Sequence, residues 1–374
     1  MKAGFLFAAL MLSAGAGLAE EITPWLQPVN PASLEREEKN LWADADEFDT
    51  AMARSGRLRN EPELTAYLQG VMDKLYPEFA GKLHVSALNS SQLNAFALPN
   101  GSIYINTGLL ARLQNEAQLA TVLAHEGAHF VHRHSFQQSE HLKSMSTLAL
   151  IVGLAGVPVV GNVVLLSSMT GYSREHETEA DHIGYQRLVA AGYSAKESVK
   201  TFEHLIAEIK ALDIDEPFFF ASHPKLQDRV ASFTELSKDA ANGILGDQPY
   251  FMAMRGVRLY TLREDLDAYR YKQLILVLGD PERRREYPPE AAYYLGEAYR
   301  LRNNEGDPEL AKREYTLSLE LAPGFAPAYR ALGLMHYRHG EKGLAAPLFR
   351  RYLELEPCAP DREYIETYLK NTGP

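Results

Sequence analysis

The stretch that decides how this chain folds is His125-Glu126-Gly127-Ala128-His129. On an α-helix, residues four apart lie one turn apart on one face, so both imidazoles can point at one ion. Glu126 sits about 100° round the helix from His125, near a water on that ion without becoming a ligand itself. Zinc lowers the pKa of such a water to about 7, and a neighbouring carboxylate takes its proton as it attacks a carbonyl. Two ligands do not hold a catalytic zinc, however. A helix rich in His and Glu also produces these five residues by chance.

A second motif lifts the pattern above chance: Ser173-Arg174-Glu175-His176-Glu177-Thr178-Glu179-Ala180-Asp181. Glu177 and Asp181 are again four apart, on a helix that Ser173 opens as N-cap with Glu175 in the first turn. Two histidines and one glutamate, with the fourth position open, form the coordination that hydrolytic zinc needs. Asp181 then falls beside a ligating histidine, where it can accept the free N–H and fix the tautomer. The expected cofactor is one Zn2+ per chain, bound by His125, His129 and Glu177, with Glu126 as general base and a peptide as substrate.

These motifs carry a resemblance. HEGAH, followed by ExxxD within Ser-Arg-x-x-Glu-x-x-Ala-Asp, is similar to the HtpX and CAAX-prenyl-protease family of gluzincins. Within it the chain most resembles the soluble periplasmic branch, BepA-like proteases with C-terminal TPR repeats. The resemblance implies the same ligands and base, and gives Asp181 a place among the catalytic residues as a proton donor. Asn94-Ala95-Phe96-Ala97 with Gly101-Ser102-Ile103-Tyr104 resembles the family's substrate-side strand, and Ser222-His223-Pro224 through Arg229 its "HP…R" segment. His223 is thereby either a fourth zinc ligand that silences the enzyme, a donor to the oxyanion, or a structural His-Pro turn. The implied substrates are misfolded or stalled envelope proteins, and the implied partners belong to envelope-protein assembly machinery.

Acidic residues outnumber basic ones 49 to 38, so nothing favours nucleic acid as a partner. Lys2, the apolar run Phe5 to Leu12 and Gly17-Leu18-Ala19 read as a signal peptide over 1–19, cleaved before Glu20, which places the mature chain in the periplasm. The single cysteine, Cys358, leaves stability to packing and the metal.

Within the expected peptidase domain, 20–240, Leu34 to Ser55 and Glu61 to Leu75 are helical in character and Leu83 to Leu88 alternates like a strand. Ala95 to Leu98 and Ser102 to Ile105 flank Pro99-Asn100-Gly101 and predict a hairpin at a sheet edge near the metal. Such an edge can hold substrate as an added strand. Asn115 and Gln118 resemble a capping box opening the HEGAH helix, with Leu119, Leu123, Phe130 and Val131 on the side away from the histidines. His132 and His134 can be extra ligands, but cations are favoured near a helix C-terminus in any case, and they read as solvated groups or as residues behind the ligands. His84, His141, His176, His182, His204, His336 and His339 carry no spacing signal. Thr147 to Met169 is uncharged and long enough to span a bilayer, but a single crossing would separate Glu177 from His125 and His129. Two readings stay open there: a helical hairpin or lid that gates the cleft or touches membrane, and two buried core helices.

Beyond Ala240 the pattern becomes repetitive. Tyr329, Leu332, Gly333, His336, Ala345, Phe349, Tyr352 and Pro357 fall at TPR positions, after a copy through Leu295, Gly296, Tyr299, Ala311, Tyr315 and Pro323. The glycines are 37 apart (333 − 296) against a usual period of about 34, with Asn303 to Gly306 as the insertion. Tyr250 to Leu278 can form one degenerate earlier pair. Two repeats are too few to stand alone and should dock on what precedes them. The expected fold is therefore α+β: a mainly helical gluzincin-type zinc protease domain with a small β-sheet, then an all-α TPR-like repeat domain over 241–374. A chaperone-like binding protein with rare or silenced proteolysis is the alternative, which the intact HEGAH and ExxxD disfavour.

Overall fold

The structure, a computed structural model, describes residues 22–144, 172–212 and 226–371. The expected signal peptide over 1–19, the apolar run 147–169 and His223 lie outside the described residues. Two helices open the fold, α1 (Arg36–Arg54) and α2 (Pro62–Leu75). Pro62 sits in the first turn of α2, where its missing N–H has no intrahelical partner to lose. Strands β1 (His84–Leu88), β2 (Ala95–Ala97) and β3 (Ser102–Asn106) follow. The hairpin forms between β2 and β3, but β3 is central: it also pairs in parallel with β1, from His84↔Ser102 to Leu88↔Asn106. The β2–β3 turn needs glycine at 101, where φ is 93° and a Cβ would lie 2.5 Å from the Lys82 carbonyl oxygen.

Helix α3 (Thr107–Arg112) leaves β3 directly and leads into α4 (Glu116–Val131), which carries HEGAH. The expected capping pair forms one residue out of register. Asn115 Oδ1 accepts from the Gln118 N–H at 3.0 Å, and Gln118 Oε1 accepts from the Gln114 N–H at 2.9 Å. Every residue from Ala117 to Val131 is buried, so α4 has no solvated face. It is enclosed by α2, β2, α6 (Arg174–Ala190) and α7 (Lys196–Leu212). The short helix α5 (His134–Ser144) precedes α6, and α8 (Leu226–Leu236) packs on α6 and α7.

The rest is helical: α9 (Asp247–Asp267), α10 (Tyr271–Gly279), α11 (Pro281–Arg284), α12 (Ala291–Arg302), α13 (Asp307–Leu321), α14 (Ala326–Arg338), α15 (Lys342–Leu355) and α16 (Arg362–Asn371). α12 packs on α13 and α14 on α15, each pair joined by a short turn. A Cβ on Gly296 would stand 2.7 Å from the Tyr315 ring, and one on Gly333 2.7 Å from the Phe349 ring. The same glycine-on-aromatic contact thus recurs in both pairs. Among the described residues no helix is long and apolar enough to cross a membrane.

Helix α9 belongs to both halves. Tyr250, Met254 and Val257 sit in the core with α2 and α4, whereas Leu262 sits in the core with Leu274 and Leu295. A boundary at 240/241 therefore falls ahead of a shared helix. The junction also satisfies the C-terminal end of α3, whose last carbonyls have no intrahelical donors. Tyr250 Oη donates to the Leu110 oxygen at 2.5 Å, Tyr287 Oη to Ala111 at 3.1 Å and Arg258 Nη2 to Leu113 at 2.9 Å. Beside them Arg112 pairs with Glu208 at 3.2 Å and Asp265 at 3.1 Å, and Arg283 reaches Glu208 at 3.1 Å.

Burial alone would raise the Glu208 carboxyl, but Arg112 and Arg283 overcome it and hold the group below its ordinary value. A depressed carboxylate stabilises above its unfolded pKa of about 4.3 and loses that contribution as pH falls through the folded value. Glu208→Gln should lower Tm at neutral pH, with the gap from wild type closing on acidification. A gap that stays constant down to acid unfolding would show that the ion pair is not its source.

Candidate metal centre

The site is built where α4 crosses α6. Ser173 Oγ accepts from the His176 N–H at 3.2 Å, so the helix carrying Glu177 starts where its N-cap predicts. On α6, Glu177, Asp181 and Gly184 share one face. A Cβ at Gly184 would meet the His125 nitrogen at 3.1 Å and the Ala124 carbonyl carbon at 3.2 Å, so the missing side chain lets the two backbones approach. Tyr76 packs against Gly127 of α4, and its Oη donates to the Ala124 oxygen at 2.5 Å. In most helices Ala in place of Gly gains up to about 1 kcal/mol. Here the new Cβ would sit 2.3 Å from the fully buried Tyr76 ring. Gly127→Ala should therefore destabilise by about 1–3 kcal/mol. A thermal melt showing stabilisation would remove Tyr76 from its role of seating the helix.

His125, His129 and Glu177 are 1%, 0% and 0% exposed. The Nε2 atoms of His125 and His129 are 3.0 Å apart, and they lie 3.4 Å and 3.5 Å from the two Glu177 oxygens. All the ligand atoms fall within 4.8 Å of one another. Bonds of about 2.0–2.1 Å at near-tetrahedral angles produce separations of this size, and two nitrogens with one carboxylate suit zinc. The donor set fits the ion that the spacing predicted. Glu126, the expected base, is fully buried on the same helix.

Behind the donors lie two different supports. His125 Nδ1 stands 2.9 Å from Asp181 Oδ1, and Arg229 brackets that carboxylate with Nε at 3.1 Å from both oxygens and Nη2 at 2.5 Å from Oδ1. Burial would raise Asp181, but Arg229 and His125 outweigh it and keep the carboxyl below its usual range. Burial and Arg229 oppose charge on His125, yet Asp181 and Glu177 overcome them and lift it to about 9. His129 Nδ1 meets a histidine instead, His134 Nδ1, at 2.8 Å. Burial, then His176 and His132, press His134 down to about 2. Tyr172 stacks on His129 at 3.9 Å between centroids, and His176 stacks on His134 at 4.5 Å.

Three participants escaped the sequence reading. His134 reads from the sequence as solvated or as lying behind the ligands, with no signal that ties it to His129, and it is wholly buried. His176 is no bystander, since it packs on His134 and bonds Gln137 at 3.0 Å. Arg229 entered only as the end of a family segment. Its 104-residue separation from His125 gave no local signal.

The expected substrate strand lies at an edge. The Asn106 N–H donates to the Asn94 oxygen at 2.9 Å and the Leu98 N–H to the Ser102 oxygen at 2.8 Å. By alternation the backbone of Phe96 also faces β3, so the backbone groups of Ala95 and Ala97 point to the side of β2 that no strand among the described residues pairs with. Phe96 itself does not serve that edge with its ring, which stacks on Tyr104 at 5.3 Å beside Phe48. Asn94 is 9% exposed, and its Oδ1 has no partner among the described residues.

Two buried histidines and a glutamate on crossing helices, with a carboxylate beside the ligands, define a centre of the zinc-metallopeptidase class. Residues 59–237 match the sequence model of Peptidase family M48. The chain is 26% identical over 202 residues to the beta-barrel assembly-enhancing protease of Escherichia coli (strain K12), covering 50% of this chain and 41% of the relative. The putative beta-barrel assembly-enhancing protease of Vibrio cholerae is 25% identical over 231 residues, 58% of this chain and 47% of the relative. The mitochondrial metalloendopeptidase OMA1 of Saccharomyces cerevisiae is 30% identical over 159 residues, 41% of this chain and 46% of the relative. The chain thus spans less than half the length of each of these relatives.

Proposed function

We propose that the chain is a zinc-dependent endopeptidase of the bacterial cell envelope that hydrolyses peptide bonds in misfolded or stalled envelope proteins. The observation that carries the chemistry is the buried His125–His129–Glu177 donor set with Glu126 on the same helix turn. When bound, zinc supplies Lewis acidity, polarising a carbonyl and easing deprotonation of water. Glu126 takes the proton of the attacking water on its carboxylate and passes it to the leaving amine. Asp181 accepts the His125 Nδ1–H and fixes that imidazole for ligation through Nε2. Held ionised by Arg229, it has no proton to donate, so its role is orientation. The open edge of β2 takes the substrate as an added strand, with main-chain bonds that depend little on sequence.

The envelope setting and substrate class are supported by the leader pattern at 1–19 and by relatives named for β-barrel assembly. The helix pairs from Ala291 to Leu355 repeat one packing contact, as TPR-like repeats do, and serve as the surface for substrates or for assembly machinery. Purified protein should contain about one zinc per chain, and Glu177→Ala should lose most of it while staying folded. Full zinc retention in that variant would dismiss the ligand assignment. For substrates, a Glu126→Gln form used as a trap in an envelope fraction should hold unfolded envelope proteins. A Glu126→Gln chain that restores every defect of a deletion strain would instead favour a binding protein.

A further inference from the structure

Everything here rests on the zinc reading above and concerns how the second histidine ligand is held. A neutral imidazole carries one proton. The Nε2 of His129 faces His125 and Glu177, so as a ligand it keeps that nitrogen bare and carries its proton on Nδ1. That Nδ1 is 2.8 Å from His134 Nδ1. At this separation one proton makes a hydrogen bond and two make a clash. His134 must therefore accept through Nδ1 and carry its own proton on Nε2, which faces Glu179 Oε2 at 3.4 Å. We propose that His134 is a positioning residue of the metal centre, accepting the His129 Nδ1–H and so fixing the tautomer and plane of that ligand.

The surroundings are built for this. His134 follows Arg133, whose φ of 58° is uncommon for a residue with a side chain. Arg133 is clamped in that turn by Glu38, with Nε to Oε1 at 2.9 Å and Nη2 to Oε2 at 2.7 Å. Glu38 is 2% exposed, so the pair is sheltered from water. The left-handed turn ends α4 and swings His134 back beneath the ligand it has just passed. His176 then stacks on the His134 ring and sets its plane. His125 has a carboxylate in the corresponding place and His129 a neutral acceptor, so the two ligands are supported by groups of different charge.

His132, His134 and Glu179 lie close enough together to hold an ion of their own. A proton on His134 Nε2 excludes that, because the atom facing Glu179 then has no lone pair to give.

The test is carried out on the zinc-loaded full chain. Two-bond proton–nitrogen NMR correlations report the tautomer of each histidine, and His134 should show a bare Nδ1 and a protonated Nε2. His134→Ala should release zinc to a chelator about 10–100-fold faster. His134→Asn puts an acceptor oxygen where Nδ1 stood and should recover most of that loss, which a purely packing role would not produce. If His134→Ala fails to fold, the wild-type tautomer and the Asn variant still decide. A proton on His134 Nδ1 would overturn the inference while leaving the zinc reading intact. So would a second bound metal that disappears in His132→Ala, or zinc release from the Asn variant as fast as from Ala. A wild-type chain that binds no zinc would overturn both.

Discussion

Glu126→Gln is expected to fold, to bind about one zinc, and to lose about 10²–10⁴-fold in kcat on an unfolded protein substrate. Gln keeps the shape of the side chain and the three ligands, so KM should change little. What it lacks is an atom that can take the proton of the attacking water. Turnover within a few-fold of wild type, measured on zinc-replete protein, would remove Glu126 from the role of base. A loss of zinc together with activity would point to a structural part for Glu126 instead. The two measurements are therefore needed side by side.

Arg229→Met should give the largest loss of stability. Arg229 and Asp181 are 2% and 3% exposed, and the carboxylate is bonded by two nitrogens of the guanidinium. Removing one partner leaves a buried charge uncompensated, which costs about 3–5 kcal/mol. The same change frees Asp181 from its bracket, so zinc should also bind about 10–100-fold more weakly. Adding Asp181→Asn to Arg229→Met should restore part of the melting temperature, because no lone charge then remains, but not the metal affinity. A single Arg229→Met protein that melts within a degree or two of wild type would contradict the buried ion pair as a structural support.

The legible part of the molecule is the part written in local spacing. His125 and His129 share a helix face because residues four apart must, and Glu177 and Asp181 share another for the same reason. Ser173 and Asn115 mark helix starts because a side-chain oxygen satisfies an N–H that the helix leaves bare. The β2–β3 turn was visible because Gly101 alone tolerates its backbone there. The period of the last helices was visible too, because glycine recurs where an aromatic ring lies across it.

Spacing could not say how α4 is surrounded. Its leucines and Phe130 suggested one buried side, yet the helix is enclosed on all sides. A helix covered all round by neighbours has no polar stripe for periodicity to find. The resemblance places Phe96 in a substrate-side strand, and the pairing register sets its ring against Tyr104 and beside Phe48.

The sequence by itself determined the donor types, their order along the chain and the faces that present them, since helix geometry converts each local spacing into a direction. Only the tertiary structure decided which groups stand behind the ligands. Arg229 reaches Asp181 and His125 across the fold, the turn at Arg133 returns His134 to His129, and α9 joins the helical half to the end of α3. Those contacts depend on the relative placement of elements far apart in the chain. That placement is set by the packing of α4 against its neighbours, down to the glycines at 127 and 184.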